Sequence, residues 1–336
     1  MSQTFETEGA NGSVAAVLVT YNRKELLIQC INALFHQTRP IDAVVVIDNA
    51  STDGTQERLR EEGYLNNPIM TYIQMPTNTG GAGGFHEGVE RAYAAGYEWL
   101  WLMDDDVEPT RDALKTVLSY SGISKCIQAA RMYEDNQIHR WDKWVNIEKS
   151  GRRSALKDQA DRDYAVVQVG CFEGMLIHRE VVSKIGFPDE RFFLGGDDTA
   201  YGYLASRQTS LIYIRKPCFI KKIIKSGPSN QSLFARILNR FEASRPSGFY
   251  FRAIRNELLL GKYTSNEIQP TYFYLRILGG LLALSGTTLI CERNLQNFVA
   301  LWKGAFEGLR LQIRPNAATQ RGASVDRNPT AGNCAP

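Results

Sequence analysis

The chain has 336 residues, 43% of them hydrophobic, and a formal net charge of +3. That is enough for one large domain with an appendage, or for two domains, and the near-neutral balance speaks against a nucleic-acid partner. Six scattered cysteines, with no CxxC pair, argue against a zinc site or a disulfide framework and suit a reducing compartment.

Met1 to Ser13 is polar and acidic, without a secretory signal, and is expected to be a flexible N-terminus over residues 1–13. Val14 to Thr20 reads as an apolar strand, followed by Tyr21-Asn22-Arg23. Glu25 to Gln37 carries an apolar stripe at Leu26, Leu27, Cys30, Ile31 and Leu34, which predicts a helix stopped before Pro40. Ala43 to Ile47 is a second strand, ending in Asp48-Asn49; the turn Ser51 to Gly54 precedes a helix over Thr55 to Glu62. Met70 to Gln74 is a third strand.

Asn78-Thr79-Gly80-Gly81-Ala82-Gly83-Gly84-Phe85 holds four glycines in five residues. Glycine lets backbone approach a ligand, and a helix following to about Gly96 would aim its N–H groups at an anion or sugar hydroxyls. The spacing matches neither GxGxxG nor a P-loop. The plainer reading is a flexible turn.

Glu98 to Met103 is a fourth buried strand, and it ends in three carboxylates, Asp104-Asp105-Asp106. Like charges this close repel. A hard cation with bound phosphates offsets that cost, and Asp104 and Asp106 have the spacing to face one Mg²⁺ or Mn²⁺. The alternative is a solvated turn, with Asp106 near a helix N-cap and Pro109 opening the helix. Four strands alternating with helices imply a parallel sheet, and their polar ends share the edge where α/β folds bind ligands.

A helix is expected over Thr110 to Tyr120 and a long polar loop over Arg131 to Ala160. Tyr164 to Gly170 and Gly174 to His178 read as strands, Arg179 to Ile185 as a short helix. Phe192-Phe193-Leu194-Gly195-Gly196 leads into a second acidic pair, Asp197-Asp198, before a helix over Tyr201 to Arg207. An N-cap role accounts for one of these two acids and leaves the other over.

From Arg207 to Lys262 there are 12 Lys and Arg against Glu242 and Glu257, a segment suited to phosphates or an anionic membrane, or simply a solubilising face. Phe249 to Gly261 and Leu295 to Ile313 read as helices. The apolar run Ile277 to Ile290 is shorter than the ~20 residues that span a bilayer and reads as a buried or membrane-surface helix. Asn297 to Leu311 places Phe298, Leu301, Trp302, Phe306 and Leu309 on one face with basic residues between, which fits either an interfacial contact or packing on the catalytic domain or a second subunit. Asn316 to Pro336 is disordered by composition.

Together Val19 to Arg23, Asp48 to Gly54, Asn78 to Phe85, Met103 to Val107 and Gly196 to Asp198 resemble a GT-A-fold family 2 glycosyltransferase, of the branch holding bacterial galactofuranosyltransferases and rhamnosyltransferases. The resemblance implies an α/β fold of mainly parallel sheet flanked by helices: a catalytic domain over 14–225, a helical, membrane-associated region over 226–315, and a tail over 316–336. It implies inverting transfer from a nucleotide-sugar donor to a lipid-linked or growing polysaccharide at the cytoplasmic membrane face. Thr20, Tyr21, Arg23, Asp48 and Asp53 would hold base and ribose, with Asn78, Gly80, Gly81, Gly83 and Gly84 near the diphosphate and sugar and Asp105 near the donor sugar or ribose. Asp104 and Asp106 would sit at Mn²⁺ or Mg²⁺. Asp198, or second to it Asp197, would be the general base, and Phe172, Glu173, Gly174, Phe193, Gly195 and Gly196 would shape the acceptor side.

The chain departs from its relatives in one respect. They often place a further histidine ligand after the base; here no histidine follows His178, and the matching stretch offers Lys221 and Lys222. Either the metal has fewer protein ligands, or one of these lysines helps neutralise the diphosphate. The competing readings are a dTDP-rhamnose-dependent rhamnosyltransferase, a nucleotidyltransferase and a non-catalytic glycan-binding subunit. A homo-oligomer is open.

Overall fold

A computed structural model describes residues 12–139, 144–155, 162–222 and 246–313. Strand β1 (Val14–Thr20) is buried on both faces, and its side chains alternate between two cores. Val14, Ala16 and Leu18 meet the apolar stripe of α1 (Lys24–Phe35), while Ala15, Val17 and Val19 meet α3 (Gly80–Ala94). This is the consequence of a continuous apolar run in a sheet covered by helices on both sides. β2 (Ala43–Asp48) and β4 (Trp99–Asp104) flank β1 in parallel, and β3 (Met70–Gln74) extends the sheet beyond β2. α2 (Thr55–Glu61) lies between β2 and β3 in the chain. Because β1 neighbours both β2 and β4, the chain reverses its winding direction there. The register brings Thr20 beside Asp48 and Val19 beside Asp104, so the polar strand ends meet at that switch point.

The second half departs from an all-parallel sheet. β5 (Val107–Pro109), β6 (Cys126–Tyr133), β9 (Tyr164–Val166), β10 (Met175–His178) and β11 (Ile212–Lys221) complete a nine-stranded mixed sheet in the order β3-β2-β1-β4-β10-β6-β11-β5, with β9 on β11. β10 runs antiparallel to both β4 and β6. α4 (Ala113–Leu118), α5 (Arg179–Ile185) and α6 (Asp197–Ser206) cover it.

Several local expectations are corrected. Pro109 does not open a helix: it ends β5, opposite Phe219 of β11, and Asp112 is the residue before α4. An edge strand tolerates proline. Asp105 and Asp106 are buried, so the solvated acidic turn is also excluded. Within the predicted long loop, β6 runs on to Tyr133 and Trp144–Ile147 pairs with Arg153–Ala155 as a two-stranded hairpin, β7 and β8. The glycines at 80–84 are not a turn before a helix but its first turns. They thin the helix where it crosses β1: a Cβ on Gly84 would lie 2.5 Å from Val19 Cγ1.

Three helices follow: α7 (Ser247–Tyr263), α8 (Pro270–Gly286), which runs on as a π turn to Cys291, and α9 (Leu295–Arg310). Their shared core includes Tyr250, Ile254, Leu258, Phe273, Ile277, Leu281 and Leu301. Pro270–Cys291 is longer than the apolar run suggested and, by length and composition, is long enough to cross a membrane. The apolar face expected on α9 is split, with Leu301 packed inward. Gly304 and Gly308 press against α7, where a Cβ on Gly304 would meet the Phe251 carbonyl oxygen at 2.2 Å, and Trp302, Phe306 and Leu309 face outward. The division expected at 225/226, residues 223–245 of the basic segment and the tail lie outside the described residues.

Candidate active site

The end of β1 and the turn after β4 are cross-linked by charge. Asp105 accepts from Thr20 Oγ1 at 2.8 Å and from Arg23 Nη1 at 3.2 Å, and the same Arg23 nitrogen reaches Asp106 Oδ2 at 3.1 Å. Burial is the main force pushing the Asp105 carboxyl up, to about 6, against the pull of Thr20 and Arg23. The neighbouring loop is built by its own side chains. Asp48 accepts from the Ser51 N–H at 2.8 Å and the Tyr72 hydroxyl at 2.5 Å, and Asp53 from the Lys24 N–H and the Thr55 hydroxyl. Tyr21 projects into solvent.

Asn49, a residue the sequence reading passed over, organises the start of α3. Its amide donates to the Gly80 carbonyl at 2.7 Å and its oxygen accepts from the Thr79 N–H at 2.8 Å, while Asn78 accepts from the Gly80 N–H. Gly80 adopts φ +73, and a Cβ there would lie 1.9 Å from the Phe193 carbonyl oxygen. The glycine-rich helix start and the loop before Asp197 therefore touch.

Asp104, Asp106 and Glu173 each bring a carboxylate oxygen to within 4.8 Å of the others. Glu173 was expected on the acceptor side; the antiparallel pairing of β10 with β4, fixed where the Gly174 N–H meets the Leu102 carbonyl at 2.8 Å, carries it to the acidic turn instead. Lys221 Nζ, buried at the end of β11, lies 2.5 Å from both Asp106 Oδ1 and Glu173 Oε1. Arg131 takes the other Glu173 oxygen. Lys222 points away, to Glu108 and Glu134 at 3.0 Å each.

Among the described residues, no hydrogen bond or ion pair engages the Asp104 carboxylate. Burial first, then the charges of Asp106 and Asp105, push it up to about 7, with Lys221 pulling the other way. Buried negative charge is thus left over after the lysine and arginines are counted. A set of oxygen donors with surplus negative charge fits a hard divalent cation such as Mg²⁺ or Mn²⁺.

Asp104, Glu173, Asp197 and Asp198 open onto one cleft of about 930 Å³. Gly81, Phe172, Gly195 and Gly196 also line it. Gly196 is the residue before α6, so neither aspartate is its N-cap as expected. The two differ. Asp197 is buried, and burial together with Asp198 pushes it up to about 7, against backbone N–H groups of its own loop. Asp198 is half-buried; one oxygen, Oδ1, accepts from the Thr199 N–H at 2.6 Å, and the other carries no hydrogen bond among the described residues. Phe172 stacks on Phe85 with ring centroids 4.3 Å apart and forms the cleft floor. The hairpin at Gly151 to Arg153, and Arg252, Asn256 and Glu257 of α7, supply walls that sequence reasoning did not foresee.

The profile for Glycosyl transferase family 2 matches residues 15–186, just over half of the chain. The chain belongs to that family. It is 31% identical over 195 residues to galactofuranosyltransferase GlfT1 of Mycolicibacterium smegmatis, covering 55% of this chain and 62% of the relative. It is 23% identical over 192 residues to dTDP-rhamnosyl transferase RfbF of Shigella flexneri, covering 57% and 62%. The chain thus spans less than two thirds of the length of these relatives.

Among solved structures, the mannosyltransferase PcManGT of Pyrobaculum calidifontis, in complex with GDP-Man and Mn²⁺, aligns over 94% of this chain and 80% of its own, with TM-score 0.51 and 17% identity. GalNAc-T7 with UDP, GalNAc and Mn²⁺ aligns over 73% and 51%, with TM-score 0.52 and 17% identity. The fold is therefore GT-A-like, a mixed sheet flanked by helices with further helices at the C-terminal end. The expected family and fold hold, with the sheet mixed in its second half.

Proposed function

We propose that this glycosyltransferase moves galactofuranose from UDP-galactofuranose onto a hydroxyl of a lipid-linked or growing surface polysaccharide, with inversion at the anomeric carbon. The observation that carries the transfer reading is that Asp104 and Asp198, the latter with an oxygen unengaged among the described residues, line the same cleft. The similarity to GlfT1 supports the choice of donor.

In this reading Thr20, Tyr21, Arg23, Asp48 and Asp53 hold the nucleoside, directly or by shaping its loop, and the N–H groups at the start of α3 meet the diphosphate. Asp104, Asp106 and Glu173 hold Mn²⁺ or Mg²⁺, which when bound offsets the charge of the departing diphosphate. Asp198 takes the proton of the acceptor hydroxyl. One in-line displacement by the acceptor oxygen, with UDP leaving, inverts the anomeric centre. Lys221 adds positive charge beneath the metal ligands.

A donor screen tests this. Purified protein with Mn²⁺ and a galactose-ended lipid acceptor is expected to release UDP and extend the glycan with UDP-galactofuranose, and to do neither at a comparable rate with dTDP-rhamnose. Preferred use of dTDP-rhamnose overturns the donor. Release of pyrophosphate indicates nucleotidyl transfer, and no turnover with any donor indicates a binding subunit.

The helical region supports contact with the cytoplasmic face of a membrane. Leu275, Leu278, Leu282, Ile290, Trp302, Phe306 and Leu309 are exposed, and Arg293, Lys303 and Arg310 among them are exposed and positive. Glu292 and Glu307 are turned to Tyr250 and Arg255. We place α8 against the membrane rather than across it. Its Phe273 and Ile277 pack on α7, whose Arg252 and Asn256 line the cleft and would be drawn into hydrocarbon by a spanning helix. The protein is expected to float with vesicles containing anionic lipid, and a Trp302→Glu, Phe306→Glu, Leu309→Glu variant to bind at least tenfold more weakly. Equal flotation of the two overturns this contact. Loss of a dimer in the variant, without vesicle binding by either, assigns the face to a second copy.

A further inference from the structure

The loop that delivers Asp197 and Asp198 is tightly turned, with the Phe193 N–H on the Glu190 carbonyl at 3.0 Å and the Leu194 N–H on the Phe192 carbonyl at 2.7 Å. Phe193 sits at φ +61, and Gly195 and Gly196 at +85 and +94. A left-handed aromatic residue persists only where its surroundings over-determine it. The carbonyls of Arg191, Phe192, Leu194 and Gly195 find partners on a helix some sixty residues later in the chain.

Those partners are two consecutive side chains of α7, both more than nine-tenths buried: Arg255 and Asn256. Arg255 Nη2 donates to the Arg191 carbonyl at 2.6 Å and the Phe192 carbonyl at 3.1 Å. The Asn256 amide donates to the carbonyls of Phe192 at 2.9 Å, Leu194 at 3.1 Å and Gly195 at 2.8 Å. Arg255 is itself locked, since its Nε and Nη2 reach Asn256 Oδ1 at 3.0 and 2.9 Å. One turn earlier, Arg252 lies over the Phe193 ring. From the opposite side, the Ala82 N–H of α3 donates to the Phe193 carbonyl at 3.1 Å.

A loop whose carbonyls at 191, 192, 194 and 195 are taken by two buried side chains of another element takes its position largely from them. We propose that Arg255 and Asn256 are positioning residues for the transfer reaction. They fix the 191–196 loop between α7 and the donor-side helix α3, and so set where Asp198 stands relative to the acidic cluster. The helical region is then part of the catalytic apparatus and not only an attachment. A bound acceptor touching Arg252 or Asn256 presses on the same loop that carries the base. The turnover arm of this inference rests on Asp198 as the base; the loop-holding arm does not.

Two readouts separate these arms. In Asn256→Ala, amide hydrogens of the 191–199 segment are expected to exchange at least tenfold faster, with the β1–β4 amides unchanged. Turnover per folded molecule is expected to fall at least tenfold while the donor KM moves less than threefold. Arg255→Met should behave likewise. Arg255→Lys, which keeps a cationic donor for the 191 and 192 carbonyls, should retain turnover within about threefold of the parent. Faster exchange with unchanged turnover overturns the positioning role, as does lost turnover that matches the unfolded fraction alone. Should Asp198→Asn prove fully active while exchange in the loop still rises, the clamp stands as a structural hold and the base assignment fails.

Discussion

Asp198→Asn is expected to bind the nucleotide-sugar donor as the parent does and to turn over about 10²- to 10⁴-fold more slowly, the usual worth of a positioned general base. The substitution is close to isosteric. The amide oxygen of asparagine can still accept from the Thr199 N–H that Asp198 Oδ1 holds at 2.6 Å, so the first turn of α6 keeps its geometry. Only the capacity to take a proton is removed. Asp197→Asn is a different experiment, because the Asp197 carboxyl is buried and tied to backbone N–H groups of Gly195, Asp197 and Asp198. Changing it is expected to lower stability and turnover together. Calorimetric titration with donor, set beside steady-state rates, checks both. An asparagine variant at 198 that turns over within tenfold of the parent removes it from the role of base.

The alternation of apolar runs with amphipathic stretches made the first half of the fold legible, since burial on both faces leaves β1, β2 and β4 with continuous apolar sequences. The same logic misled wherever a residue obeyed a partner distant in the chain. Pro109 reads locally as a helix opener, yet the edge pairing with Phe219 makes it the end of a strand. Trp302 and Phe306 read equally as a packing face or an interfacial one, and only the closer approach of Gly304 and Gly308 to α7 on the other side decides against packing within the chain. At the site, the acids at 104–106 and 197–198 stand out locally but read equally as turns and helix starts, and only the family resemblance gives Asp104, Asp106 and Asp198 their expected roles. Glu173 carries no such mark. Only the antiparallel strand after it brings it to the acidic turn. Asn49 and the pair Arg255-Asn256 stand in stretches that resemble the family, but their action on backbone carbonyls and amides has no signature in sequence.

Lys221→Met is expected to cost the metal-free protein about 3–5 kcal/mol, the usual penalty for removing one partner of a buried ion pair. Lys221 Nζ sits 2.5 Å from Asp106 Oδ1 and from Glu173 Oε1, and both carboxylates lie deep beside β11. Methionine restores the volume but not the charge. The loss should grow with pH, for a reason that Asp104 makes explicit. Its carboxyl is raised to about 7 in the fold, above its ordinary value near 4, with Lys221 as the force holding it down. The native state therefore keeps a proton that the unfolded chain releases, and stability falls as pH rises from about 4 to about 7. Without Lys221 the carboxyl rises further, and the fall extends to higher pH. Urea unfolding in EDTA at pH 5.5 and pH 8 measures this, with the parent–variant gap expected to be wider at pH 8. Adding Mn²⁺ should then raise the Tm of the variant more than that of the parent, because the ion supplies the positive charge the lysine no longer does. Equal Mn²⁺ responses at pH 8 would mean that the ion and the lysine do not share these carboxylates, and that Asp104, Asp106 and Glu173 are held for structure alone.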